Sequence, residues 1–302
     1  MFAALLGAWE SGFIFAIMAL GVYLSFRTLD FPDLTVDGSF VTGAATAAML
    51  IIQGVSPLIA SLAALLAGFV AGVCTGLLHT KGHINPLLSG ILMMISLYSI
   101  NLRLMGGKSN LPLLKEETIL TGMESILPKL WSVLLPMLLV AMAMKLLLDW
   151  FLRTEVGLAL RATGDNKRMI RALSANTDRY VILGLGISNA YVAFAGGLYA
   201  QYVKFADIQM GVGMIIIGLA SVIIGEALFG TKSIAWTTLA VVGGAIIYRM
   251  IYALALRVPF LHTGDMKLIT ALIVIIALLL PKYLQEWRSR KGEKDAKVKA
   301  NF

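Results

Sequence analysis

The sequence predicts an all-α, polytopic transmembrane bundle of about nine helical spans. Of its 302 residues, 59% are hydrophobic and only 14% are charged, and the mean hydropathy is +0.85. A soluble domain is about a quarter charged, and one of this length could not remove so much apolar surface from water. These proportions exclude a soluble enzyme and a disordered protein. The single cysteine, Cys74, excludes an intrachain disulfide scaffold.

Nine apolar segments have the length and composition to cross a bilayer, which takes about 20 residues of helix. Hydrophobic and polar residues almost nowhere alternate, so these segments are expected to be helices rather than strands. The second and seventh are short and rich in Gly or Ala, which makes them candidates for re-entrant or broken helices. In order, the segments are 9–27, 38–53, 57–78, 86–104, 130–152, 180–203, 212–230, 233–255 and 266–284.

The first segment is expected to be a retained span. Glu10 is the only charged residue near its start, so the positive region of a signal peptide is missing. Three acids, Asp30, Asp33 and Asp37, then precede the second helix. Either Asp37 or Ser39 caps that helix, or the acids contact a partner on the cytoplasmic side.

One stripe of the third segment has a small residue at every fourth position: Ala64, Gly68, Gly72 and Gly76. Small side chains on one helical face let a second helix approach closely. The stripe therefore predicts a helix-packing face, and a moving interface is the alternative.

Basic residues predict the orientation. The segment 153–179 holds six basic and three acidic side chains, and the tail 288–302 holds six and two. Four predicted spans separate these segments, so both can face the cytoplasm, as the positive-inside rule requires. Counting back places the N-terminus outside. The chain then divides into a transmembrane domain, 1–287, and a basic cytoplasmic tail, 288–302, and its net charge of +8 indicates orientation on lipid rather than nucleic-acid binding.

The loop 153–179 has the pattern of two short helices broken at Gly164. The first presents one face formed by Val156, Leu160 and Thr163. Asp165 or Asn166 can cap the second. The second carries an apolar stripe of Met169, Ile170 and Leu173. Such an amphipathic pair is either an anchor at the membrane interface or a docking site for a soluble partner.

The same loop contains the pattern Gly-x-Ala-x-Arg-Ala-x-Gly-x-Asn, with Asp165 inside it, at Gly157, Ala159, Arg161, Ala162, Gly164 and Asn166. This pattern resembles the coupling loop of ATP-binding cassette (ABC) importer permeases of the branched-chain amino acid and ribose type. Residues 34–45 resemble the first re-entering helix of that family, and 211–230 its Gly-rich late span. Thr-Val-Asp-Gly-Ser at 35–39 and Ile-Ile-Gly-Glu at 223–226 favour its tryptophan/tyrosine-type importer subgroup.

The resemblance implies a division of labour in a bacterial inner membrane. Two permease subunits, in the simplest case two copies of one chain, form the pathway for a small polar metabolite, with an amino acid favoured. Cytoplasmic ABC ATPases bind ATP and Mg²⁺, and an extracytoplasmic binding protein delivers the substrate. The coupling loop would transmit closure of the ATPases to the spans as a rigid-body movement.

The chain itself is not expected to be an enzyme or to hold a cofactor. The stretch 225–233 approaches a phosphate-binding loop, but Lys232 stands one place late and follows an apolar span rather than a strand. His79 and His83 have a ligand-like spacing, but Gly82 breaks the helix that would align them, which argues against a metal site.

Uncharged polar side chains within the predicted spans are the candidates for a substrate pathway. A pathway binds its substrate briefly, since affinity belongs to the delivering protein. The alternative for each residue is an interhelical hydrogen bond, worth about 0.6 kcal/mol. The candidates are Asn101, Asn189, Tyr191, Tyr199 and Gln201.

Charged residues within the spans are few. Glu226 and Arg249 lie at opposite predicted depths, so each is expected to snorkel or to cap a helix end rather than to pair with the other. Lys145 and Asp149, four residues apart, predict a local helix pair. An ion-gradient-driven secondary transporter remains the alternative function, although such proteins usually carry acids near the middle of the membrane.

Overall fold

The structure, a computed structural model, describes residues 2–114, 116–124, 128, 131–172, 175–256, 268, 270–272 and 274–275. The described chain is mainly helical. Its helices are α1 (Phe2–Val22), which continues as a π-helical segment (Tyr23–Thr28), α2 (Thr35–Ile52), α3 (Pro57–Thr80), α4 (Pro86–Leu104), α5 (Ile119–Glu124), α6 (Leu134–Arg153), α7 (Glu155–Asp165), α8 (Lys167–Ala172), α9 (Thr177–Val203), α10 (Met214–Phe229) and α11 (Ile234–Ala255). The strands are β1 (Asn110–Pro112) and β2 (Phe205–Asp207).

Seven of the described helices are long and apolar enough to cross a membrane, and each coincides with a predicted span. They are α1 with its π-helical segment, α2, α3, α4, α6, α9 and α11. The predicted span 212–230 corresponds to α10, which is apolar but has only 16 residues. The predicted span 266–284 lies largely outside the described residues. The all-α class is therefore confirmed, with seven candidate spans in the described part of the chain.

Helix starts follow local signals in the sequence. Pro57 and Pro86 stand in the first turns of α3 and α4, where a missing amide costs nothing. The Asn85 side chain accepts a hydrogen bond from the amide of Leu87 (3.0 Å) and caps α4. Asn176 caps α9 in the same way, through the amides of the next helix turn.

The two strands mark one end of the bundle. β1 and β2 pair antiparallel, with Leu111 opposite Ala206. Because β1 follows α4 and β2 follows α9, this pairing joins the far ends of those two helices. We call this the β1–β2 end, and the opposite end, where α9 begins, the α7–α8 end.

Helix α9 is the centre of the fold and packs against α1, α2, α3 and α7. The small-residue stripe on α3 lies directly against it. A Cβ atom at Gly68 would stand 2.3 Å from the carbonyl oxygen of Asn189, and one at Gly72 would stand 2.1 Å from that of Leu185. At Gly76 the nearest atom would be the Cα of Ile182, at 2.7 Å. The two helix backbones therefore touch along this stripe.

Replacing Gly72 with alanine should destabilise the protein by about 1–3 kcal/mol. The new methyl group would meet a backbone carbonyl of α9, which cannot rotate away, so the helices have to separate. Thermal unfolding in detergent would measure the loss. Gly7→Ala in α1 is the matched control, because its Cβ would meet only the Tyr202 hydroxyl at 3.6 Å. Equal midpoints for the two variants would contradict close packing at Gly72.

Candidate functional site

The segment between α6 and α9 forms two helices at the α7–α8 end. α7 begins after Thr154, whose hydroxyl accepts a hydrogen bond from the amide of Gly157 (3.2 Å). The helix continues through Asp165, and the break falls at Asn166. The Asn166 side chain caps α8 by accepting from the amide three residues on (3.0 Å). The predicted break at Gly164 is therefore wrong. Of the two predicted caps, Asp165 and Asn166, it is Asn166 that caps α8.

Gly164 is needed for a close contact rather than for a break. A Cβ atom there would lie 2.0 Å from the carbonyl oxygen of Thr28, so glycine lets α7 touch the end of the π-helical segment. Beside it, Leu160 is fully buried, and its side chain covers Gly184 of α9 together with that of Leu29. α7 thus packs both on α9 and on the chain that joins α1 to α2.

The opposite face of α7 and α8 is exposed and partly apolar. Leu158 and Met169 are 52% and 51% exposed. Val156, predicted to share a face with Leu160 and Thr163, is also exposed, whereas those two are buried. The buried positions of α7 are Gly157, Leu160 and Thr163. Leu173, predicted for the stripe on α8, lies outside the described residues.

The other predicted coupling residues lie at the edge of this face. Asp165 and Asn166 are exposed. Three more are half-buried: Ala159, Arg161 and Ala162. Their part in coupling stays a prediction, but every position of the pattern falls within α7 or at its junction with α8.

In the α1–α2 connector (residues 29–34), every second side chain is buried: Leu29, Phe31 and Asp33. Asp33 in this connector is 1% exposed, and its carboxylate accepts from the amide of Thr35 (2.9 Å) and from Nδ2 of Asn189 (2.6 Å). The Thr35 hydroxyl shares a hydrogen bond with that of Thr75 on α3 (2.8 Å). These bonds tie the connector to α9 and α3. The predicted contact of Asp33 with a cytoplasmic partner is wrong, because the side chain is buried.

Asp37 caps a helix, but that helix is α10 and not its own. Its carboxylate oxygens accept from the amides of Gly213 and Ile215, each at 2.9 Å. α10 follows an irregular stretch, 208–213, that ends at Gly213 with a φ of +87°. A carboxylate satisfies the free amides of a helix start and its positive dipole end. Ser39, the other predicted cap, is buried, with no hydrogen-bond partner for its hydroxyl in the described chain.

Three of the predicted pathway residues make contacts between helices. Tyr191 donates its hydroxyl to a backbone carbonyl of α6 (3.0 Å). Gln201 donates from Nε2 to the hydroxyl of Ser61 (2.8 Å). Tyr199 packs edge-on against Phe15, with ring centroids 5.2 Å apart. These contacts match the interhelical alternative, and a pathway role for the three stays a prediction.

Asn101 and Asn189 have a different character. Each is buried, and each has an amide oxygen without a hydrogen-bond partner among the described residues. Nδ2 of Asn189 donates a hydrogen bond to the Asp33 carboxylate. Asn101 donates to the carbonyl of Gly38 (3.2 Å) and also lines a cavity. The structure therefore does not gather the five candidates at one place.

The cavity lies between α2, the second half of α4 and residues 208–212, and its volume is about 380 Å³. That volume is within the usual range for small-molecule sites. Its wall is mostly apolar, with one carboxylate. Lining residues include Asp37, Val41, Met94, Tyr98, Asn101 and Val212. The sequence pattern did not predict this cavity, because its walls come from three separate segments.

The charged residues of the spans have separate partners. Arg27 pairs with Glu226 (Nε to Oε1, 3.0 Å) and links the π-helical segment to α10. Arg249 donates from Nε to the hydroxyl of Ser11 (3.0 Å), and its guanidinium lies over the ring of Phe15, 4.4 Å from the centroid. Glu226 and Arg249 thus do not pair with each other, as expected. Glu226 pairs with Arg27, whose side chain is 60% exposed, and the snorkelling or capping roles predicted for Glu226 and Arg249 stay predictions.

Comparison with known proteins identifies the chain. The family model described as "Branched-chain amino acid transport system / permease component" matches residues 5–279. The chain belongs to this family. The permease is 44% identical over 277 residues to a tyrosine transport system permease protein of Clostridioides difficile (strain R20291), covering 92% of the permease and 90% of that relative. The predicted family is therefore confirmed, and the chain is a multi-pass membrane transport subunit.

One more distant relative and one solved structure also match the chain. The permease is 31% identical over 234 residues to the autoinducer 2 import system permease protein LsrC of Yersinia pestis (strain Pestoides F), covering 75% of the permease and 63% of LsrC. A solved chain of PsaBC from Streptococcus pneumoniae, in complex with Fab, matches with a TM-score of 0.51. That match covers 91% of the permease and 89% of the solved chain at 14% identity, so it concerns the fold.

Proposed function

We propose that this permease is the membrane subunit of an ABC importer for an amino acid, driven by an ATPase that docks on α7 and α8. The observation that carries the proposal is the placement of α7. One face packs on the α1–α2 connector and on α9, while the other exposes Leu158 and Met169. A helix with an exposed apolar face and a buried contact to the spans suits transmission of a partner's movement.

The exposed face favours a protein partner over an interfacial anchor. Its apolar side chains alternate with charged ones, since Glu155, Arg168 and Arg171 are also exposed. The proposal leads to three further expectations about how the subunits are arranged. The α7–α8 end faces the cytoplasm, the β1–β2 end meets the binding protein, and ATP with Mg²⁺ is held by the partner ATPase alone.

The complete chain is proposed to have nine spans, with the N-terminus outside and the tail 288–302 in the cytoplasm. Residues 1–287 then form one transmembrane domain, and two copies build the pathway in a bacterial inner membrane. The number of predicted spans supports this arrangement. Four spans separate the basic segments 153–179 and 288–302, so both segments fall on the same side of the membrane. The substrate class is proposed from the tyrosine transport relative, together with the Thr-Val-Asp-Gly-Ser and Ile-Ile-Gly-Glu stretches.

Reconstitution tests the proposal. The permease is purified with its cognate ATPase and binding protein, placed in liposomes, and given radiolabelled L-tyrosine, L-tryptophan or L-leucine. We expect uptake of at least one amino acid that requires both ATP and the binding protein. Uptake that persists without ATP under an ion gradient would overturn the importer assignment and favour a secondary transporter.

A further inference from the structure

We propose that the cavity between α2, α4 and residues 208–212 holds the amino acid in transit, and that the Asp37 carboxylate receives its ammonium group. This inference rests on the proposed function and assigns a place and a chemistry to the substrate inside the permease. The candidate ligand is a zwitterion with an apolar or aromatic side chain.

The charge of Asp37 is the first support. Its side chain is half-buried and lines the cavity. Its oxygens accept from the backbone amides of Gly213, Met214 and Ile215 at the start of α10, and a carboxylate offers about four acceptor positions, so one remains. Among the described residues, no basic side chain lies within 4.0 Å of it. The cavity therefore presents one negative group that lacks a cationic partner.

The apolar wall is the second support. Val41, Met94 and Val212 contribute apolar surface, and Tyr98 adds an aromatic ring. A cavity of about 380 Å³ accommodates a side chain as large as that of tyrosine or tryptophan. A single anionic group in an apolar pocket discriminates in favour of a ligand with one cationic head and an apolar body.

Asn101 is the third support. It is 1% exposed, lines the same cavity, and has an amide oxygen with no hydrogen-bond partner in the described chain. Buried polar atoms are nearly always satisfied in folded proteins. Asn101 lines the same cavity as Asp37, so its unsatisfied acceptor is the candidate partner for a second N–H of the ammonium group or for a water that bridges to it.

The position of the cavity also connects it to the segments that are proposed to move with the ATPase, namely α7 and the connector. Asp37 holds the start of α10, and the helix that carries Asp37 follows the connector on which α7 packs. A shift of the connector is expected to move the start of α2, and with it the Asp37 carboxylate and the start of α10. The strength of substrate binding is expected to change with each ATPase cycle, as transport requires.

Cysteine labelling tests the site in the reconstituted complex. In a Cys74→Ala background, Ser99→Cys places a thiol on the cavity wall, and Val212→Cys places one on the opposite wall. Modification with a small methanethiosulfonate reagent should lower ATP-driven uptake about tenfold for both variants. Excess transported amino acid should slow the modification, whereas its analogue without the amino group should not.

Ser96→Cys is the matched control. It lies on α4 about one turn from Ser99, is also exposed, and is not among the residues that line the cavity. Its modification should leave uptake within about twofold. Full transport by modified Ser99→Cys and Val212→Cys would overturn the site, and so would equal protection by the analogue. Failure of the unmodified Cys74→Ala parent to take up any amino acid would instead overturn the proposed function, so the two failures are distinguishable.

Discussion

Replacing Gly164 with alanine should abolish most substrate uptake while the assembled complex still hydrolyses ATP. Alanine suits the helical conformation of α7, so the helix itself should persist. Its Cβ atom, however, would lie 2.0 Å from the Thr28 carbonyl oxygen and 3.1 Å from the carbonyl carbon of Leu29, so α7 has to move off the end of the π-helical segment and the start of the connector. The exposed face with Leu158 and Met169 is untouched, so the ATPase should still bind.

The expected size follows from coupling energetics. Energetic coupling between sites is typically about 1–3 kcal/mol, which corresponds to roughly 5–150-fold in an equilibrium. We expect uptake to fall by about tenfold or more, with ATPase activity of the complex within about twofold of the parent. The two activities are measured on the same proteoliposomes, so a loss of assembly would lower both together.

Gly122→Ala provides the comparison for Gly164→Ala. It is the same substitution in α5, where no atom of the described residues outside the neighbouring backbone lies within 4 Å of the new Cβ. Its uptake should match that of the parent. If Gly164→Ala also transports normally, the contact between α7 and the connector does not carry the coupling, and the ATPase must act on the spans elsewhere.

The fold was predictable because its signals are local. Each of the seven helices that could span a membrane was visible as an apolar run with the right length. The break between α7 and α8 was missed by two residues, because a glycine was interpreted as a helix breaker. Glycine is needed at position 164 because of its close contact with Thr28, which lies 136 positions earlier in the chain. A contact of this kind cannot be predicted from the residues that flank the glycine in the sequence.

The site was less predictable because its contacts are long-range. Arg27 and Glu226 are separated by 199 positions, and Asp37 reaches an amide 176 positions away. Asp37 or Ser39 was predicted to cap α2, because such a side chain at a helix start usually caps that helix; neither does, and Asp37 caps α10 instead. Only the packing of α10 against α2 shows that the free amides it satisfies belong to another helix. The cavity depends on that same packing.

A second large effect is expected from Lys145→Met on α6. Lys145 and Asp149 form the predicted i, i+4 pair, and both side chains are about nine-tenths buried. Asp149 also accepts a hydrogen bond from the hydroxyl of Thr238 on α11 (2.6 Å). Removing the ammonium group leaves a buried carboxylate with one neutral donor. The free energy of unfolding should fall by about 3–5 kcal/mol.

The double variant Lys145→Met with Asp149→Leu separates the cost of a lone charge from the loss of a contact. With both charges gone, no buried ion needs compensation, and apolar replacements of similar volume are often neutral. Thr238 keeps an acceptor, because its hydroxyl also lies 3.2 Å from the Ala235 carbonyl oxygen. Denaturant titration in detergent should therefore find the double variant more stable than Lys145→Met alone. If the double variant is the less stable of the two, the pair contributes net stabilisation, and the loss in the single variant does not come from an uncompensated carboxylate.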